Sequence, residues 1–226
     1  MSAVPDVLDR EMYTVSEAAR LLEVSPSTLR YWLEGGEQRG KHYRPVIRQE
    51  PERGSAVTWA EFVEAGLLRE YRRTHRIPMS QLRDFIDDLR QQLGVPYPLA
   101  HERPFISGRD LVLRAQQASQ LDADFQLVVF ANDQLLLTPA ADSFVNRVEW
   151  HDGIAAALKP AADRRSTVRI DPELRFGRPS VAGVSTSAIF EQSESGEPAP
   201  VIADMFGIDV RDVRWAIAYE TALTAA

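Results

Sequence analysis

The sequence predicts an α+β protein, mostly α, in three segments. Apolar residues recur at helical spacing through the first 93 residues, two short aliphatic runs flank a turn-forming dipeptide in the middle, and two further helical patterns close the chain. Turn-rich punctuation at Gly94-Val95-Pro96-Tyr97-Pro98 and again near 159–166 separates the segments. The expected domains are 1–94, 99–160 and 166–226. A length of 226 residues, 44% of them hydrophobic, suffices to bury the cores of one to three small domains.

The first segment opens with a capping box. The Thr14 hydroxyl can accept from the amide of Glu17 while the Glu17 carboxylate reaches back to the amide of Thr14, which fixes the start of a helix carrying Val15, Ala18, Ala19 and Leu22 on one face. That helix ends at Val24. Ser25-Pro26 supplies an N-cap followed by a proline at the first helical position, where the missing N–H costs nothing, so a second helix follows a tight turn. Leu29, Trp32 and Leu33 share its inward face, which leaves Ser27, Thr28, Arg30 and Tyr31 directed outward near its N-terminus. Helix, turn and helix in this order form a unit that presents donors to base edges and phosphates. The apolar spacings of Phe62, Ala65 and Leu68, then of Leu82, Phe85, Ile86 and Leu89, predict a further helix pair over 58–73 and 80–93.

In the middle segment, 127–130 and 135–137 flank Asn132-Asp133, residue types that accept positive φ, and predict a hairpin. Phe144, Val148 and Trp150 lie at even spacing and are expected to extend that sheet by one strand. The last segment begins with an extended stretch over 167–170 and ends in helices over 201–206 and 210–222. Joined by Gly207-Ile208-Asp209, these two helices form a second helix-turn-helix-like pair with Ile202, Phe206, Val213, Ala216 and Ile217 inward. Gly177 and Gly183 are expected at turns that need an open φ.

Composition narrows the chemistry. With no cysteine, the chain has no disulfide framework, no cysteine zinc site and no thiol nucleophile. Its N-terminus lacks an apolar stretch of the signal-peptide kind and nothing approaches the roughly 18 consecutive apolar residues of a membrane span, so the expected location is the cytoplasm, without a membrane partner. His42, His75, His101 and His151 are scattered, and no phosphate-cradling glycine loop or nucleophile elbow is present. Asp84 and Asp88, four residues apart, read as the wet face of a helix instead of a metal site. No catalytic residue, metal or cofactor is expected, and the chain reads as a non-enzyme. Its net charge of -7 at first argues against nucleic acid, but the charge is segregated: 39–83 holds ten basic and five acidic side chains, and 91–226 holds twelve and eighteen. The arginine run Arg69, Arg72, Arg73 and Arg76 reads as a solvated helix face sooner than as a phosphate track.

Residues 13–32, with Thr28-Leu29-Arg30-Tyr31 at their centre, resemble the helix-turn-helix of the MerR regulators. That resemblance implies a winged helix-turn-helix in which Arg30 and Tyr31 contact phosphates of double-stranded operator DNA and Ser27 and Thr28 lie toward the bases. It also implies a basic wing carrying Arg39, Lys41 and Arg44. Two departures stand out: Glu23 occupies the family's glycine position, and the loop over 35–57 is longer than usual.

Ile170-Asp171-Pro172, Phe176-Gly177-Arg178-Pro179, Val184-Ser185-Thr186, the run 202–207 and the run 213–219 together resemble a small domain of unknown function, family 433, over 167–223. Members of that family stand beside PIN-like ribonuclease toxins, and the full arrangement resembles the larger VapB-type antitoxins of actinobacteria. The resemblance implies a homodimeric antitoxin that binds its operator and a PIN-like ribonuclease toxin, with Arg178, Phe206, Arg214, Trp215 and Tyr219 as candidate toxin contacts. Local acidity around Glu191, Glu194, Glu197, Asp204, Asp209 and Asp212 favours a protein partner for this segment over nucleic acid. The rival reading is a stand-alone MerR-like transcription regulator whose middle segment, 105–159, holds a small ligand.

Overall fold

A computed structural model describes residues 7–38, 40–51, 56–74, 79–131, 134–160, 163 and 165–225. The chain is mostly helical with small two-stranded antiparallel sheets. It divides into two compact units, residues 1–146 with 150–155 and residues 147–149 with 156–226. Residues 99–146 belong to the same compact unit as the N-terminal helices.

In the first unit, strand β1 (Glu11–Tyr13) leads into helix α1 (Val15–Leu21), started by the expected capping box: Glu17 N donates to Thr14 Oγ1 at 3.2 Å and Thr14 N to Glu17 Oε2 at 2.9 Å. Helix α2 (Pro26–Glu34) starts on Ser25, whose Oγ accepts from Thr28 N at 3.1 Å. Strands β2 (Gly36–Gln38) and β3 (Lys41–Tyr43) pair with Glu37 opposite His42 and form the wing. Strand β4 (Val57–Thr58) returns to β1 and leads into α3 (Trp59–Thr74), followed by α4 (Met79–Leu93). Leu29, Trp32 and Leu33 of α2 are buried with Ala18, Ala19, Phe62, Phe85 and Ile86, so the periodicity placed the core faces correctly.

Charged groups also lie inside this core. Arg48 donates to both carboxylate oxygens of Glu61 at 2.6 and 3.0 Å, and Arg90 bonds the carbonyl of Ile47 and, at 2.7 Å, Asp87. Glu64 is fully buried and accepts from Leu99 N at 2.9 Å. Burial outweighs the opposing pull of Arg90 and pushes the Glu64 carboxyl up to about 7.

The rest of the unit comprises α5 (Arg103–Ile106), α6 (Arg109–Ala118), a hairpin of β5 (Val128–Ala131) and β6 (Gln134–Leu137), and α7 (Pro139–Val145). Buried Gln116 holds the start of β5 by accepting from Leu127 N and Val128 N and donating to Val128 O. The hairpin forms as predicted, though its expected Asn132-Asp133 turn lies outside the described residues. Trp59 Nε1 donates to Ala155 O and Tyr71 Oη to Gln126 O, tying α3 to this part of the chain. The expected third strand is corrected: Phe144 is on α7, which Thr138 caps and Pro139 starts, and β7 (Val148–His151) pairs with β8 (Ile154–Leu158) instead of with the β5–β6 hairpin. A threonine-proline cap outweighs even spacing because it satisfies a helix N-terminus locally.

In the second unit, Leu158 bridges Ile170 and Arg169 bridges Ser180, which makes the stretch over 167–170 extended as predicted. Strands β9 (Ser180–Val181) and β10 (Val184–Ser185) turn through Ala182 (φ 47°) and Gly183 (φ 79°), both left-handed as a two-residue hairpin of type I′ demands. Helix α8 (Thr186–Glu194) was missed: Ser187 and Ser193 dilute its pattern and Ile189 is its only buried aliphatic. Helices α9 (Ala199–Phe206) and α10 (Val210–Thr224) are joined through left-handed Gly207 and capped by Asp209, close to the expected bounds. Val168, Val181, Ile189, Ile202, Ala203, Val213 and Ala216 form the core. Among the described residues no helix is long and apolar enough to cross a membrane.

Candidate nucleic-acid interface

The turn between α1 and α2 sets how the second helix is presented. Val24 N donates to Ala19 O at 3.0 Å and Glu23 N to Arg20 O at 3.1 Å, a Schellman closure that requires a left-handed residue at Glu23 (φ 48°). This explains why the resembling family has glycine there. Here the glutamate carboxylate forms an ion pair with Arg69 of α3.

On α2, Ser27 and Arg30 are exposed and Thr28 and Tyr31 half-buried. The hydroxyls of Ser27 and Thr28 lie 3.0 and 2.8 Å from Ser25 Oγ, so the cap orders the polar end of the helix. Tyr31 Oη accepts from Arg83 Nη2 at 3.1 Å, which leaves its own proton available for a phosphate oxygen. At the other end of α2, Gly35 (φ 72°) has no room for a side chain, since a Cβ there would meet Tyr43 O at 2.2 Å. The wing therefore crosses α2 at van der Waals distance.

In the wing, Lys41 and Arg44 are exposed. The Lys41 ammonium sits over the Tyr43 ring, 5.6 Å from its centroid, and Arg44 reaches Asp87 at 3.4 Å. Arg39 lies outside the described residues, as do the side chains of Arg72, Arg73 and Arg76. Arg48, Arg69 and Arg83 are buried with partners of their own, so the positive balance of 39–83 overstates the charge available to phosphate.

Sequence reasoning missed Arg83. Although almost fully buried on α4, it donates from Nε to Pro45 O at 3.0 Å and from Nη2 to Tyr31, and its guanidinium carbon lies 6.0 and 5.8 Å from the Tyr31 and Tyr43 rings. One side chain thus joins the outward-facing helix to the wing. The signal was available: Arg83 and Arg90 lie three residues before and four after Ile86, on the apolar seam of α4.

The five candidate toxin contacts are not alike. Arg178 and Arg214 are exposed, whereas Phe206, Trp215 and Tyr219 are half-buried against the core of the second unit.

The N-terminal geometry is that of a MerR-type winged helix-turn-helix: the MerR HTH family regulatory protein profile matches residues 13–42, from the end of β1 into the wing. The chain is 32% identical over 225 residues to the uncharacterized protein Rv2308 of Mycobacterium tuberculosis, covering 96% of this chain and 93% of that protein, and it belongs to that protein's family. A more distant relative in the same organism, "Putative antitoxin VapB45", is 25% identical over 225 residues, covering 92% of this chain and 93% of that protein. The crystal structure of Rv2018 from Mycobacterium tuberculosis has the same fold, with a TM-score of 0.76 at 22% identity, covering 93% of this chain and 99% of that chain.

Proposed function

We propose that the chain is an antitoxin of a type II toxin–antitoxin system. As a homodimer it binds its own operator through the helix-turn-helix, and it neutralises a PIN-like ribonuclease through its C-terminal unit. The observation that carries this reading is a MerR-type head on a chain that aligns almost end to end with a relative named as an antitoxin. The resemblance of 167–223 to family 433 supports it from the opposite end of the chain.

In this reading the N-terminal turn of α2 enters the major groove, Ser27 and Thr28 face base edges, and Arg30, Tyr31, Lys41 and Arg44 face phosphates. Two copies place their recognition helices about 34 Å apart, one turn of DNA. The protein works in the cytoplasm by occupancy alone, with no catalytic residue and no cofactor.

The test is co-expression with the product of the adjacent open reading frame. Growth should be arrested by that product alone and restored by this chain, and DNA upstream of the gene pair should be retarded by the complex. Operator binding without rescue would return the reading of a stand-alone regulator.

A further inference from the structure

Residues 175–177 turn left-handed in succession, Arg175 at φ 52°, Phe176 at φ 55° and Gly177 at φ 67°. Glycine adopts this conformation freely, but a side chain does so only against steric resistance, and here two consecutive side-chain-bearing residues do. Nothing in their burial repays it: Phe176 is 87% exposed and its neighbour Leu174 42%. The conformation is nevertheless held firmly. Gly177 N donates to Leu174 O at 3.0 Å, Arg178 N to Arg175 O at 3.1 Å and Arg175 Nε to Gly183 O at 2.9 Å, while Thr186 N and Oγ1 fix Pro179 O at the base of the turn. A strained segment fixed by its surroundings and presenting a large apolar side chain to water is the mark of a contact surface.

We propose that this turn is a docking knob for a protein partner, with Phe176 entering an apolar pocket whose carboxylate rim pairs with Arg175 and Arg178. The proposal rests on the antitoxin reading and names the surface that grips the ribonuclease. Phe176 stands exposed on its turn, so the pocket that takes it belongs to the partner. Its charge selects that partner: Arg178 is exposed and Arg175 is held by a carbonyl, with no carboxylate paired to either among the described residues. Phenylalanine and arginine are also both enriched at protein–protein interfaces relative to the rest of the surface. A nucleic-acid strand stacked on Phe176 is the competing occupant, and charge disfavours it: the second unit carries eleven acidic side chains against nine basic, with Glu173 three residues before Phe176.

The test uses the full chain and the purified product of the adjacent gene, comparing wild type with Phe176→Gly, Phe176→Ala and Arg178→Glu by calorimetric titration and thermal melting. Phe176→Gly relieves the left-handed strain, so it should melt at or above the wild-type temperature while its affinity for the partner falls about 30-fold or more. Arg178→Glu should weaken the complex with unchanged melting. A Phe176→Gly protein that melts lower would make the residue structural and overturn the knob. Wild-type affinity in all three variants would overturn it too, with the antitoxin reading intact, whereas a wild-type chain that does not bind the product removes that reading and the knob with it. Phe176-dependent binding of a single-stranded oligouridylate, or a homodimer that Phe176→Gly dissolves, would reassign the surface and overturn the proposal.

Discussion

The carboxylate of Glu23, at the left-handed turn between α1 and α2, forms an ion pair with the guanidinium of Arg69 on α3, whose side chain is only 9% exposed. A residue poorly suited to its backbone position thus compensates a buried cation. Glu23→Gly relieves roughly 1 kcal/mol of left-handed strain but leaves the buried Arg69 with Glu70 as its one remaining carboxylate, at 3.4 Å, among the described residues, so the protein should lose about 1 kcal/mol of stability overall. In an Arg69→Met background the same change should become stabilising. Urea denaturation of the four proteins in the cycle measures the coupling, expected at about 1–3 kcal/mol, and additive effects would show that the pair contributes nothing.

Arg83 and Arg30 should affect DNA binding in different ways. Arg30 is exposed on α2, so Arg30→Ala should weaken operator binding and lower the dependence of log affinity on log salt by about one. Arg83 is buried and holds Tyr31 and the wing together, so Arg83→Lys, which cannot keep the forked geometry, should cost about tenfold in affinity with the salt slope unchanged. Fluorescence anisotropy at several salt concentrations separates the two. Equal loss of slope would place Arg83 at a phosphate.

Glu64 should make the first unit less stable as pH rises. Its folded carboxyl titrates near 7 and its ordinary value is 4.5, so between these the folded state holds a proton that the unfolded state has released. Stability from this group is full below about pH 4.5 and is lost as pH climbs through 7, by on the order of 3 kcal/mol. Glu64→Gln keeps an acceptor for Leu99 N and removes the titration. It should raise the melting temperature at pH 8 and leave it nearly unchanged at pH 5; the same gain at both pH values would exclude the carboxyl as the cause.

Much of the first unit was legible because its signals are local. The capping box at Thr14 and Glu17, the Ser25-Pro26 helix start and the inward set Leu29, Trp32 and Leu33 all operate within one or two turns of helix. The same holds for the hairpin of β5 and β6 and for the left-handed Gly183. Phe144 failed because even spacing is a weak signal beside a cap, and α8 because its serines hide an apolar face only one buried aliphatic wide.

By itself the sequence determined where helices start, which faces they bury and that the N-terminal pair is a helix-turn-helix, since each depends on neighbours a few residues away. Only the tertiary structure decided which arginines are surface charge and which are internal struts. Arg48 meets Glu61 from 13 residues away and Arg83 meets Pro45 from 38, and a long cationic side chain exposes or buries its head according to which helix lies opposite. Of the ten basic side chains counted over 39–83, burial removes Arg48, Arg69 and Arg83 from the surface, while Lys41 and Arg44 of the wing reach solvent.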